Sequence, residues 1–405
     1  MSLKLQKPLI YVTRDIERAL GMKPEGLYFI ISNDTTYGRE VQRQNPEHVF
    51  LITDPRGQLD TFDLLTLPEV AHHINSRDAD IVVFQNTSRI ERLARENKWN
   101  LINPPASLAQ TVEEKISQIT WLTEDTNLLP PHSVVTVKDV RFTGKKIVLQ
   151  FNHSHTGQGT YIITSQSEID VLAQKFPHRE CRIVDFIEGP VFTVNVVVGS
   201  FGITVGNPSY QITGMQPFTD LPFSTIGNDW TLPQTQKFIK VSKDTTSIAH
   251  TIGKRMQCAG WRGMFGIDVI YDTVQKKTYL LEINARQPAS AVYESILQKK
   301  YSKRNVLTLF KEPLSLFEIH IAALLGLKYS TQTPHIQNGS QIVKRVTAKT
   351  YSSDEVRMNS RPITLISYSN TEHNKELLRI QLTTGIMKDH TVLNEEGSFI
   401  ASCIQ

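Results

Sequence analysis

The stretch Gly263-Met-Phe-Gly-Ile-Asp-Val-Ile-Tyr-Asp-Thr-Val-Gln-Lys-Lys-Thr-Tyr-Leu-Leu-Glu-Ile-Asn-Ala-Arg286 decides how the rest of the chain is read. Two apolar-rich runs flank a short polar turn, the pattern of a β-hairpin. With the turn centred on Gln275, Val269 faces Leu281, Ile270 faces Leu280, Tyr271 faces Tyr279 and Ile267 faces Ile283, all favourable cross-strand pairs. The same register sets Asp268 against Glu282. Two carboxylates facing each other in a buried hairpin repel unless a cation lies between them. A hard divalent ion with oxygen ligands is the simplest such cation. Period-two alternation puts Glu282, Asn284 and Arg286 on one strand face, the face that Asp268 shares. Two carboxylates, an amide oxygen and a guanidinium converging on one point describe a site for magnesium and phosphate.

This constellation, with Asp268 on the first strand and Glu282-x-Asn284-x-Arg286 on the second, resembles the metal-binding hairpin of the ATP-grasp superfamily. The resemblance implies ATP and Mg2+ as cofactors, with Mn2+ as an alternative metal. It implies Asp268, Glu282 and Asn284 as metal ligands, and Arg286 as the catalytic group that steadies the transferring phosphoryl group or an acyl phosphate. A surface hairpin with scattered charges is the bland alternative. It fits poorly with Val269, Leu280, Leu281 and Ile283, which bury such a hairpin on both faces.

The composition is that of an ordinary soluble globular protein: 405 residues, 40% hydrophobic and 21% charged. This length accommodates two or three domains. A net charge of +4 is small and spread along the chain, which argues against a nucleic-acid partner. The three cysteines, Cys181, Cys258 and Cys403, are far apart and form no metal-binding spacing, so a reduced, cytoplasmic setting is expected. No apolar run has membrane-spanning length, and the N-terminus lacks the apolar core of a signal peptide.

Up to about Pro105 the chain reads as a Rossmann-like α/β unit. Leu27–Ser32, Val49–Ile52 and Ile81–Phe84 are its expected parallel strands, and Ser88–Asn97 is an amphipathic helix. No GxGxxG follows a strand, so a dinucleotide site is not expected there. After Asn103-Pro-Pro105, Thr111-Val-Glu-Glu114 reads as a capping box opening a helix, with Val112, Ile116, Ile119 and Leu122 on its apolar face. Lys115 lies off that face. Lys146–Gln150 is a strand running into a loop with Thr156-Gly-Gln-Gly159, whose exposed N–H groups suit phosphate oxygens. Cys181–Pro190 resembles the interdomain hinge of the ATP-grasp superfamily. Phe192–Val198 is a strand that sets Thr193, Asn195 and Val197 on one face. Gly206–Pro233 reads as a long irregular segment rich in aromatics, expected to wall a substrate pocket through Tyr210 and Trp230, with Arg262 as a secondary candidate beside Arg286. Leu232–Met256 and Pro313–Leu325 read as helices, and a strand-rich tail opens at Gly339–Thr347.

On the ATP-grasp resemblance, residues 1–106 form a preceding Rossmann-like domain. Residues 107–310 form the ATP-grasp fold of two α+β subdomains, with a lid at about 132–187, and residues 311–405 form a helix and strand-rich C-terminal part. The order is similar to that of the biotin-carboxylase-like branch. The implied nucleotide contacts are Lys115, Gln150, Thr156, Gly157, Gln158 and Gly159 at the phosphates, and Asp185, Phe186, Ile187 and Glu188 around adenine and ribose. Gln150 stands where the family usually has a phosphate-binding lysine. A lysine at 150 is therefore expected to tighten ATP binding, and Lys146 on the same strand face is a candidate substitute. The expected activity is that of a carboxylate–amine ligase of amino-acid or peptide type. It has small-molecule carboxylate and amine substrates, no nucleic-acid or membrane partner, and a homodimer as the candidate assembly. Bicarbonate activation and a degenerate nucleotide-binding regulatory module are the alternatives.

Overall fold

Short apolar runs near the N-terminus build the first layer. The computed structural model describes residues 3–152, 159–304, 313–348, 363–368 and 370–404. Strands β1 (Leu9–Val12), β2 (Tyr28–Asn33), β3 (Val49–Ile52), β4 (Asp80–Val83) and β5 (Asn100–Leu101) form a parallel sheet in the order β3-β2-β1-β4-β5. The central strand β1 and the two-residue β5 are absent from the strands expected from sequence. For β1 the reason is its burial. Its four residues are all buried, so it shows no alternation for a periodicity argument to find. The helix Ser88–Glu96 packs where expected, with Thr87 as its N-cap.

A second, four-stranded antiparallel sheet comprises β6 (His132–Thr136), β7 (Ile147–Phe151), β8 (Thr160–Ile163) and β9 (Glu180–Asp185), in the order β6-β9-β7-β8. Ile147, Leu149 and Phe151 turn into its core with Ile169 and Leu172 of the helix Gln166–Lys175. Alternation then directs Val148 and Gln150 to the opposite face.

The largest sheet contains β10 (Val191–Gly199), β11 (Gly202–Val205), β12 (Ser209–Thr213), β13 (Thr225–Asp229), β14 (Gly263–Asp272), β15 (Lys277–Asn284), β16 (Ser340–Arg345), β17 (Ile363–Ser367) and β18 (Glu376–Leu382). Its path is β15-β14-β10-β12-β13-β16-β18-β17, with β11 beside β10. One face is the main core. Phe192, Val194, Ile267, Val269, Leu280 and Ile283 are buried there against Ile248, Ile252 and Met256 of the helix Ile239–Cys258. Each fully buried aliphatic side chain contributes roughly 1.5–3 kcal/mol. The alternate residues, including Thr193, Asn195, Asp268, Glu282 and Asn284, therefore lie on the other face.

Three expectations are corrected here. The segment 206–233 is not an irregular wall, because it contains β12 and β13 as a paired hairpin. Tyr210 and Trp230 are each 1% exposed. Tyr210 packs edge-on against Phe192 and Trp230 against Tyr293, so neither faces a substrate. Thr111 opens no helix: Ala106–Glu113 is already helical, and its hydroxyl donates to the Ser107 carbonyl instead. The β14–β15 hairpin keeps the expected pairs Ile267–Ile283 and Asp268–Glu282, but then shifts by one. Val269 faces Leu280, Ile270 faces Tyr279 and Tyr271 faces Thr278. Leu281 is the extra residue of a bulge beside the paired acids.

No helix among the described residues is long and apolar enough to cross a membrane.

Candidate active site

Register alone brings Asp268 and Glu282 face to face at the middle of the β14–β15 pair. Asp268 is fixed from two sides. Thr193 Oγ1 donates to its Oδ1 at 2.6 Å, and Asn284 Nδ2 donates to its Oδ2 at 3.2 Å. Glu282 accepts a hydrogen bond from Lys115 Nζ at 2.9 Å. Lys115 is buried and belongs to the break between the helices Ala106–Glu113 and Ser117–Leu122. Arg286, just beyond β15, donates through NH1 to Glu113 Oε1 at 2.5 Å. Residues that precede the four-stranded sheet thus reach the hairpin's polar face at Glu282 and at Arg286.

The charges respond to one another. Burial and the Glu282 charge push Asp268 above the ordinary aspartate range, to about 6. Glu282 is pulled below the ordinary glutamate range: burial opposes this, but Lys115 and then Arg286 and Arg182 outweigh it. Burial raises Glu113 despite the Arg286 guanidinium. No group of three or more His, Cys, Asp and Glu suited to a metal occurs among the described residues. A metal here would rest on two carboxylates, one amide oxygen and ligand phosphates. That hard, oxygen-only set fits Mg2+, which normally keeps phosphate and water oxygens.

A sequence profile of the ATP-grasp domain matches residues 112–290, the span that holds all of these groups. Residues 112–290 form an ATP-grasp domain. The fold has close counterparts among solved structures. N5-carboxyaminoimidazole synthetase from Staphylococcus aureus, complexed with ADP, superposes with a TM-score of 0.66 at 13% identity, covering 100% of this chain and 98% of that one. The synthase from Aspergillus clavatus, in complex with ADP and 5-aminoimidazole ribonucleotide, gives 0.66 at 13% identity, with coverage of 98% and 97%. Biotin carboxylase from Campylobacter jejuni gives 0.63 at 14% identity, with coverage of 93% and 87%. No curated protein sequence matches the chain.

The other residues that the ATP-grasp resemblance implies are distributed as follows. Thr156, Gly157 and Gln158 lie outside the described residues, while Gly159 follows at a positive φ of 106°. Asp185, Phe186, Ile187 and Glu188 form the bend between β9 and β10, with both acids exposed and Phe186 and Ile187 half-buried. The Phe186 ring carries Lys146 Nζ at 4.2 Å from its centroid and meets Phe223 edge-on at 6.5 Å. Lys146 is therefore engaged at the bend rather than beside Gln150. Gly189 closes the bend because a Cβ there would come within 2.1 Å of the Tyr271 carbonyl on β14. Arg262 is exposed and is not one of the residues gathered around Arg286.

Gln150 does not stand free for a phosphate. Its Oε1 accepts from both Nε (3.0 Å) and NH2 (2.7 Å) of Arg182, directly opposite on β9. Arg182 is 3% exposed and was not singled out in the sequence reading. Its signal was a lone cation alternating with Cys181 and Ile183 in a strand. Asn152, one residue beyond β7, acts as a strap. It donates to Glu114 Oε2 at 2.7 Å, and its Oδ1 accepts from the N–H groups of Ile116 and Ser117.

Two further features went unread. A row of neutral polar side chains leaves Asp268 across the sheet, through Thr193, Ser209, Asn228 and Gln341. Asn228 Nδ2 donates to Ser209 Oγ and Gln341 Nε2 to Asn228 Oδ1, both at 3.1 Å. Beside Arg286, a crevice of about 10 Å³ opens against Phe84, Asn86, Gln287 and His320. It lies where the parallel sheet's strand ends meet β15, the usual place for ligands in α/β folds.

His320 on that crevice gives a pH prediction. Its Nδ1 accepts from the Met264 N–H at 2.9 Å, and burial pushes its pKa down to about 3. In the unfolded chain an imidazole protonates below about 6.5. Between those values the unfolded state binds the extra proton, so stability falls as pH drops from 6.5 towards 3. This group should cost about 2 kcal/mol between pH 6.5 and pH 5. Urea titrations across that range should show a shallower pH slope for His320→Gln than for the parent chain. An unchanged slope would mean that His320 is not the titrating group.

Proposed function

We propose that this chain is an ATP-dependent ligase that activates a carboxylate as an acyl phosphate and joins it to an amine, releasing ADP and phosphate. The observation that carries the reading is the convergence of Asp268, Glu282, Asn284, Lys115 and Arg286 on the polar face of the β14–β15 hairpin. Asp268, Glu282 and the Asn284 amide oxygen would hold Mg2+, which screens the phosphate charges when bound. Lys115, paired with Glu282, would lie beside a phosphate brought to that carboxylate. The substrate carboxylate oxygen attacks the γ-phosphorus as the bond to ADP breaks. The amine nitrogen then attacks the acyl carbon, phosphate leaves with the C–O bonding pair, and the amine loses a proton. Arg286 offers a planar fork suited to a carboxylate or to the acyl phosphate made from it. The chain's contribution is position and charge rather than a covalent nucleophile.

The ligase names of the structural neighbours support the reaction class. The three cysteines are free, in keeping with a reducing cytoplasm. A second reading is activation of bicarbonate. The likeness to biotin carboxylase, over 93% of this chain, favours it.

The test supplies the full chain with Mg2+, ATP and separate pools of amino acids, dipeptides and bicarbonate, and measures phosphate release. Release driven by an amino acid or dipeptide pool is expected. Release on bicarbonate alone would move the assignment to the second reading, and release from no pool would sink the ligase assignment.

A further inference from the structure

The three cations around the paired acids are not equivalent. Lys115 is paired with Glu282 and Arg286 with Glu113. Arg182 is held by a neutral amide: its Nε and NH2 both donate to Gln150 Oε1. Its NH1 is buried and has no hydrogen-bond partner among the described residues. A buried guanidinium with one open nitrogen and no carboxylate partner is costly unless something anionic completes it. The position is also informative. Gln150 and Arg182 face each other in register on β7 and β9, with Phe151 and then the Asn152 strap following Gln150 where β7 leaves the sheet. Burial lowers the Arg182 pKa to about 10 and the Glu282 charge opposes that shift, so the guanidinium lies within electrostatic reach of the hairpin.

We propose that Arg182 supplies the cation for the nucleotide phosphates, and that Gln150 is its positioning residue. The charge has moved from β7 to the neighbouring strand β9, and the amide at 150 aims the guanidinium by taking two of its five N–H bonds. This leaves NH1 for a phosphate oxygen. The inference rests on the reading of this domain as one that binds ATP. It reverses the expectation drawn from Gln150 alone: a lysine at 150 removes the acceptor that orients Arg182 and sets an ammonium against a buried guanidinium.

The test compares ATP with adenosine by calorimetry, using the full chain and Mg2+. Arg182→Gln should weaken ATP binding by about tenfold to a hundredfold, the scale of one charge-assisted hydrogen bond, and leave adenosine binding within about twofold. Gln150→Lys should also weaken ATP binding selectively. The exchange Gln150→Lys with Arg182→Gln should restore ATP affinity to within a few-fold of the parent, because one cation again faces one amide. Should Arg182→Gln fail to fold, Arg182→Lys, which keeps the charge and loses the fork, is expected to weaken ATP binding by a few-fold to about tenfold and leave adenosine binding within about twofold, and an unchanged ATP affinity in it would count against the proposal. Equal losses for ATP and adenosine, an unchanged ATP affinity in Arg182→Gln, or an exchange no better than its single variants would overturn the proposal. A parent chain that binds neither ATP nor adenosine would instead remove the ATP reading beneath it, an outcome distinct from the first three.

Discussion

Glu282→Gln should lower magnesium-dependent ADP formation by at least about a hundredfold, the scale on which single groups facing developing charge act in enclosed sites. The same variant should keep its fold. Two opposed consequences explain why. Glu282 loses its place in the oxygen set facing Asp268, so a divalent ion is held by one carboxylate fewer. The like-charge contact with Asp268 also disappears, which offsets the loss of Lys115's ionic partner. Thermal unfolding should shift by only a few degrees, and calorimetry should show nucleotide binding that no longer depends on Mg2+. Near-parental turnover in a folded variant would remove Glu282 from the metal assignment.

Arg286→Ala should reduce turnover by roughly 10²–10³-fold while sparing ATP affinity. Arg286 stands at the end of β15, towards the crevice with Gln287 and His320, and away from the bend that carries Phe186. Its partner Glu113 is the control. Glu113→Gln leaves the guanidinium in place and removes the carboxylate that occupies NH1, so turnover should change by less than about tenfold. Arg286→Lys should resemble alanine more than arginine, since an ammonium cannot reproduce a planar two-pronged grip. If ATP affinity fell together with turnover in Arg286→Ala, the residue would belong to nucleotide binding rather than to the carboxylate end.

Much of this site was legible because it depends on strand alternation. Asp268, Glu282, Asn284 and Arg286 are close in sequence, and a hairpin brings them together by local pairing alone. The register failed only beyond Glu282, where the bulge at Leu281 inserts a residue that hydrophobic pattern cannot reveal. Arg182 escaped for a different reason. Its meaning comes from Gln150, thirty-two positions earlier, and from an antiparallel contact between β7 and β9 that no local pattern announces. Tyr210 and Trp230 misled because glycines and prolines around them suggested an open loop, whereas the alternation of Ser209–Thr213 was a strand carrying Tyr210 into the core. Lys115 was placed on a helix and is found in the break between two, a difference that lets its side chain turn under Glu282.

The Asn152 strap has a mechanical consequence. The four-stranded sheet joins the rest of the molecule through the chain near Pro130 and Pro131 and through the bend at Asp185–Gly189. Asn152 adds a third attachment, made of three hydrogen bonds to Glu114, Ile116 and Ser117. A body pivoting on two chain crossings can swing like a door. One fastened at a third point off that axis must carry its fastening along or break it. The residues fastened here flank Lys115. A swing of the sheet that kept the strap intact would therefore tow the backbone around Lys115 along with Arg182, coupling the two cations on one lever.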